Sequence, residues 1–185
     1  MKIGHRMLRF ARQEDGVAAI EMAIIFPVML IMFFGLIDLT ALLSDSRRVS
    51  YAANVVGDDV IRLETPTTAN DVADSFAAAE IMMRAAQAGP ARVEIYAYRR
   101  SAGLPVLRWD LDNGVGVPCG APSQAGLGGL MTAGNDLVIT VVCVTHEPII
   151  TTIIGKNILG KTEFTLREQI MMRPRAGNNL ECPNC

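Results

Sequence analysis

An α+β fold carried on a membrane helix is what this sequence predicts. A long N-terminal transmembrane helix should continue into a small domain, where a second helix packs on a roughly four-stranded antiparallel sheet. Three observations carry that expectation. One apolar run of membrane-spanning length lies near the N-terminus. It leads into two stretches whose apolar residues recur at spacings of three and four. After Pro90 the period changes to two in four separate stretches, with no helical pattern between them to carry a parallel crossover.

Composition limits the alternatives. Half of the 185 residues are hydrophobic while 19% are charged, a balance that excludes both a disordered chain and a polytopic membrane protein. The formal net charge of -2 provides no basic field, so no nucleic-acid partner is expected.

The organisation follows in order. Residues 1–16 form a leader, 17–43 the transmembrane helix and 44–185 an exported domain. Lys2, Arg6, Arg9 and Arg12 in the leader disfavour its translocation, which sets the N-terminus in the cytoplasm; Arg47 and Arg48 on the far side weaken that bias. Across residues 17–37 only Glu21 is ionised, and about 20 such residues cross a bilayer core of roughly 30 Å. Glu21 and Asp38 should therefore lie near opposite interfaces. A cleaved secretory signal would have a shorter core and an A-x-A-like site, and a lipoprotein would need a cysteine just after the core. A plain signal anchor remains open on the apolar segment alone.

Glu21 distinguishes the two readings. A carboxylate within a lipid-spanning helix costs about 2.5–3.5 kcal/mol, unless it sits at the interface and snorkels to water. If the chain is cut between Gly16 and Val17, Val17 carries a new ammonium. Glu21 then lies one turn away on the same helix face and can neutralise it, within the subunit or in a neighbour. Such pairing sets axial register in a packed bundle, because slippage leaves both charges unpaired in lipid. Pro27 removes a backbone donor and frees the carbonyl of Ala23, which marks a kink.

The basic leader, Gly16 at the cut and Glu21 at the fifth mature position resemble the processing site of type IV pilins. The ordered set of Gly16-Val17-Ala18-Ala19-Ile20-Glu21, Pro27 and Gly35-Leu36-Ile37-Asp38 is similar to TadE-like pseudopilins of the tight-adherence (Tad or Flp) pilus. Val17 and Glu21-Met22 agree better with a minor pseudopilin than with the major fibre subunit. The resemblance implies a non-enzymatic assembly role and maturation by a prepilin peptidase. It implies, as partners, other minor pseudopilins, the major pilin and an inner-membrane assembly platform. It also implies a bacterial inner-membrane location with a periplasmic domain. A type II secretion pseudopilus subunit would share Glu21 and the cut; an uncleaved single-pass envelope protein with a binding domain would not.

Beyond the membrane, Val49, Ala52, Ala53, Val56, Val60 and Leu63 form an apolar stripe, so one helix should run to about Leu63, weakened or bent at Gly57. Thr65-Pro66-Thr67 ends it. A second helix is expected over 71–88, capped by Thr68 or Asn70, with Val72, Phe76, Ala79, Met83 and Ala86 buried and Gly89-Pro90 as its stop. Strands follow at 92–99, 104–111, 136–146 and 163–172. Val93, Ile95 and Ala97 share a face. Both faces of 136–146 are apolar, which marks a central strand. The Gly-rich stretch 112–135 fits no element and reads as a long loop.

The remaining chemistry is sparse. His5 lies in the leader, and His146, beside Glu147 at a strand end, reads as a surface feature. One exported histidine supports no nucleophilic triad. The Gly-rich stretches do not link a strand to a helix and are not phosphate loops. No cofactor and no metal are expected. The cysteines Cys119, Cys143, Cys182 and Cys185 all lie downstream of the membrane segment, and an even count there predicts disulfides, with three connectivities open. A Cys119–Cys143 bridge would staple the loop to the sheet; the alternative joins the tail to the domain. Cys182-Pro183-Asn184-Cys185 also has the spacing of a thiol oxidoreductase or half a zinc site, but it follows a Gly-Asn-rich stretch rather than opening a helix.

Overall fold

The computed structural model describes residues 15–84, 89–124, 126–131, 134–149, 163–175 and 179–185. The basic leader residues and Ala86 of the second helix lie outside the described residues. Helix α1 spans Asp15–Val60, 46 residues without a break, about 69 Å at 1.5 Å per residue. Its last turn tightens, with Arg62 N–H donating to Asp59 O and Leu63 N–H to Val60 O. The helix continues through Gly57. A Cβ there would meet Met172 Sδ and Thr140 Oγ1, each at 3.4 Å, so the absent side chain lets α1 lie close on the sheet.

Helix α2 spans Ala69–Met83 and opens on a capping box. The Thr68 hydroxyl accepts from Asp71 N–H at 3.3 Å, and the Thr68 N–H donates to the Asp71 carboxylate at 2.8 Å. The hydroxyl of Thr68 also donates to that carboxylate, at 2.7 Å, which with the backbone bond holds Asp71 below the usual carboxylate pKa. Val72, Phe76, Ala79 and Met83 are buried at the expected spacing.

The sheet is β1 (Arg92–Ser101), β2 (Leu104–Asp112), β3 (Asp136–His146) and β4 (Phe164–Met172), in the order β2-β1-β3-β4 with every pairing antiparallel. The β1–β2 hairpin turns on Ala102 (φ 50°) and Gly103 (φ 86°), positive at both positions as a tight two-residue hairpin turn requires. β3 has a partner on each side, and only Thr145 along it is less than buried, which suits the apolar character of both its faces.

The two faces are covered differently. On one, Val93, Ile95, Ala97, Val138 and Val142 pack against the stripe of α1 and the buried face of α2. Each fully buried Val there contributes about 1.5–3 kcal/mol. On the other, Leu137, Ile139, Val141 and Tyr98 are covered by Leu127 and Met131. These come from the Gly-rich stretch, which carries a short helix α3 (Leu127–Leu130). That stretch is therefore a covering layer of the sheet rather than a free loop.

Candidate functional site

The functional candidates lie along α1, whose environment changes partway. Every residue of 16–33 is exposed, and none of the most apolar stretch is buried by the domain. Eighteen residues at 1.5 Å each make about 27 Å, close to the roughly 30 Å of a hydrocarbon core. This stretch is long and apolar enough to cross a membrane, which fits a membrane-anchored protein.

Gly16 and Val17 sit in the first turn of α1, both exposed, and a Cβ at Gly16 would meet nothing within 4 Å. Glu21 follows one turn later, exposed between Ile20 and Met22, which are 64% and 60% exposed. It has no hydrogen-bond or ion-pair partner among the described residues. Pro27 lies inside the helix, which continues through it.

Where the bare stretch ends, the domain reaches back. Asp38 is buried and accepts a 2.7 Å hydrogen bond from the Ile149 N–H. Two turns on, Asp45 is buried against His146, Oδ2 to Nδ1 at 2.9 Å. His146 is 2% exposed, so it is not a surface feature: the end of β3 tucks beneath α1, and Asp45 lies 101 positions away in sequence. Its Nε2 has no partner among the described residues. The local sequence gives no sign of this pair; the one available signal was the seven-residue spacing of Asp38 and Asp45, which places both acids on the face of α1 that carries Ala52, Val56 and Val60.

The cysteines form two local bridges, Cys119–Cys143 and Cys182–Cys185. The first ties the Gly-rich layer to β3. Glu94 reinforces that junction from inside: buried, it accepts from Cys119 N–H at 3.0 Å, from Tyr96 O–H at 2.9 Å and from Arg92 Nε at 3.1 Å. Burial, then the bond to Glu94, pushes the Tyr96 hydroxyl pKa up. The second bridge sits in a strap over the helix-covered face. Leu180 O accepts from Trp109 Nε1 at 2.8 Å, and Leu180 N–H donates to Asp136 at 2.7 Å. Asp136 in turn holds Arg99 through two bonds of 2.6 and 2.9 Å, which raise the arginine's pKa. Glu181 O accepts from Thr67 N–H at 2.9 Å, so the strap also holds the α1–α2 connection. Cys182 and Cys185 are packed partly against the core.

Residues 16–57 match the family model described as TadE-like protein. Over this segment the chain is similar to TadE-like proteins. The TadE-like segment begins at the exposed Gly16, takes in Glu21, Pro27, Asp38 and Asp45, and ends at the close approach of Gly57 to the sheet. It thus spans both the bare stretch and most of the stripe that the domain buries. No curated protein and no solved structure matches the chain. The TadE-like match relates the chain to Tad pilus components in general.

Proposed function

We propose that this chain is a minor pseudopilin, a structural and assembly subunit of a Tad-type pilus with no enzymatic activity of its own. A prepilin peptidase removes the leader by cutting after Gly16 on the cytoplasmic side of the bacterial inner membrane, and the domain is periplasmic. Other minor pseudopilins, the major pilin and the inner-membrane assembly platform are its partners.

The observation that carries this reading is Glu21: a carboxylate within the bare apolar stretch of a TadE-like helix, exposed and without a partner among the described residues. A plain anchor gains nothing from it and bears a cost of about 2.5–3.5 kcal/mol if it lies deep in lipid. After cleavage the Val17 ammonium lies about 6 Å along the axis from Glu21. Each charge then neutralises the other, or its counterpart in a neighbouring helix.

Mass spectrometry of the membrane form tests the processing, with Val17 expected as the first residue. A functional protein retaining residues 1–16 returns the chain to an uncleaved anchor. The assembly role is tested separately. Glu21→Ala should still insert and fold, yet lose cross-links to partner subunits and reduce the count of surface pili.

A further inference from the structure

Arg47 and Arg48 occupy a position that the assembly role leaves unexplained. Exposed apolar side chains on α1 continue from Val17 to Leu43. From Val17 to Leu43 the helix rises about 39 Å, a hydrocarbon core of roughly 30 Å together with most of its polar interfaces. Arg47 follows one turn later, about 6 Å further, at the outer edge of the polar headgroup region on the domain side. An open groove of about 690 Å³ lies there, lined by Thr40, Leu43, Arg47, Arg48 and Tyr51 of α1 and by Met82 of α2.

The groove is chemically two-sided. Leu43 and Met82 form an apolar wall, and Tyr51, 63% exposed, has the amphipathic character of residues at a membrane surface. Arg47 is exposed and Arg48 half-buried. Arg48 Nη1 makes one long contact, 3.5 Å to Met82 O, on the α2 side of the groove. Neither arginine has a carboxylate within ion-pair distance among the described residues, whereas Arg62, Arg92, Arg99 and Arg175 all do. Two guanidiniums without a carboxylate partner among the described residues can hold a phosphodiester, and their double positive charge favours a headgroup of net negative charge over a zwitterionic one.

We propose that the Arg47–Arg48 groove clasps the phosphodiester headgroup of an anionic phospholipid in the leaflet on the domain side. An acyl chain of that lipid lies along Leu43 and the exposed apolar face below it. The clasp holds the helix at a fixed depth. It rests on the chain being membrane-anchored, and the test separates the two.

The full chain is reconstituted in phosphatidylcholine nanodiscs containing a minority of phosphatidylglycerol, and the retained lipid is measured by native mass spectrometry. Wild type should retain phosphatidylglycerol over phosphatidylcholine by roughly tenfold to thirtyfold, the size expected of two basic side chains at an anionic surface. Arg47→Gln/Arg48→Gln should abolish the preference and still resist carbonate extraction. The charge-matched Arg62→Gln/Arg108→Gln should keep it. Equal retention in both double variants overturns the clasp. Displacement of the lipid by inorganic phosphate alone overturns it in favour of a free-anion site. An unchanged lipid ratio, with loss of a cross-link from this face to an acidic segment of another subunit, makes the groove a protein contact instead. Carbonate extraction of wild type would remove the membrane anchoring itself and the clasp with it.

Discussion

The two halves of α1 share one uninterrupted backbone and meet two different surroundings. Over residues 16–33 apolar side chains point in all directions and all are exposed. From Val49 onward the apolar residues narrow to a stripe, and Val49, Ala52, Ala53, Val56 and Val60 are each at most 2% exposed. An all-round apolar helix needs lipid or other helices as its solvent, whereas a stripe needs one packed face. The acids divide the same way. Asp38 and Asp45 are satisfied by the domain, while Glu21 is not. One half of the helix is built for its own fold and the other for something outside it.

Breaking the Asp45–His146 pair should have the largest effect and sharpens this division most. His146→Ala leaves the buried Asp45 carboxylate without its partner and should cost about 3–5 kcal/mol of domain stability. Guanidinium unfolding followed by the fluorescence of Trp109, the only tryptophan, measures it. Glu21→Ala should leave that midpoint unchanged. Equal losses from the two variants would mean that the halves are not energetically separate.

Next in size is the bridge that ties down the Gly-rich layer. Cys119 and Cys143 are 24 positions apart, and losing a disulfide across such a loop costs about 3 kcal/mol. The paired Ser variant should unfold at correspondingly lower guanidinium concentration while membrane insertion stays at wild-type level. A loss of insertion would show that the domain, not the bare stretch, holds the protein in the bilayer.

The two glycines of α1 offer a smaller contrast. A Cβ at Gly35 would meet nothing within 4 Å, while at Gly57 it touches Met172 and Thr140. Gly57→Leu should overpack the contact and destabilise the domain by about 1–3 kcal/mol, whereas Gly35→Leu should leave the unfolding midpoint alone. The same destabilisation at both positions would contradict the change of surroundings between them.

The smallest effect is at the α2 cap. Asp71 has a folded pKa below its ordinary value of 3.8 because Thr68 donates to its charged form. Its contribution is therefore complete above that value and is lost as the pH falls through the folded pKa. Thr68→Ala should cost about 1 kcal/mol at neutral pH. It should also flatten the acid-side fall in stability, seen by repeating the unfolding between neutral and strongly acidic pH. An unchanged acid slope would separate Asp71 from the cap.

Local pattern was enough for much of this architecture. The stripe of α1, the buried face of α2 and the alternation of β1 depend on periodicity within a few turns or residues, and the structure has them where periodicity places them. The central position of β3 followed from its two apolar faces. What escaped was non-local. His146 looks like a strand-end polar residue because its partner lies on another element. Gly57 reads as a weak point by propensity, yet it is a place where helix and sheet come close, a fact set by Met172 and Thr140 far along the chain. The Gly-rich stretch has no period, so nothing local shows that Leu127 and Met131 cover the second face. At the candidate site, Glu21 stood out because charge is rare in such a stretch, whereas Arg47 and Arg48 entered only as an electrostatic bias until the groove placed them together.

The continuity of α1 has a rotational consequence. Asp38 and Asp45 are seven residues apart, nearly two full turns, so their side chains leave the axis within about 20° of each other. Glu21 precedes Asp38 by seventeen residues, about 4.7 turns, which sets it about 100° away around the cylinder. The carboxylate in the bare stretch therefore points to a different azimuth from the one the sheet occupies, and a neighbouring helix can approach it without meeting the sheet. With no flexible joint between them, that angle is written into chain length. Deleting one residue between Met22 and Gly35 would swing the entire domain by about 100° relative to Glu21 and draw it in by about 1.5 Å. Deleting seven would nearly restore the azimuth while drawing the domain about 10 Å closer.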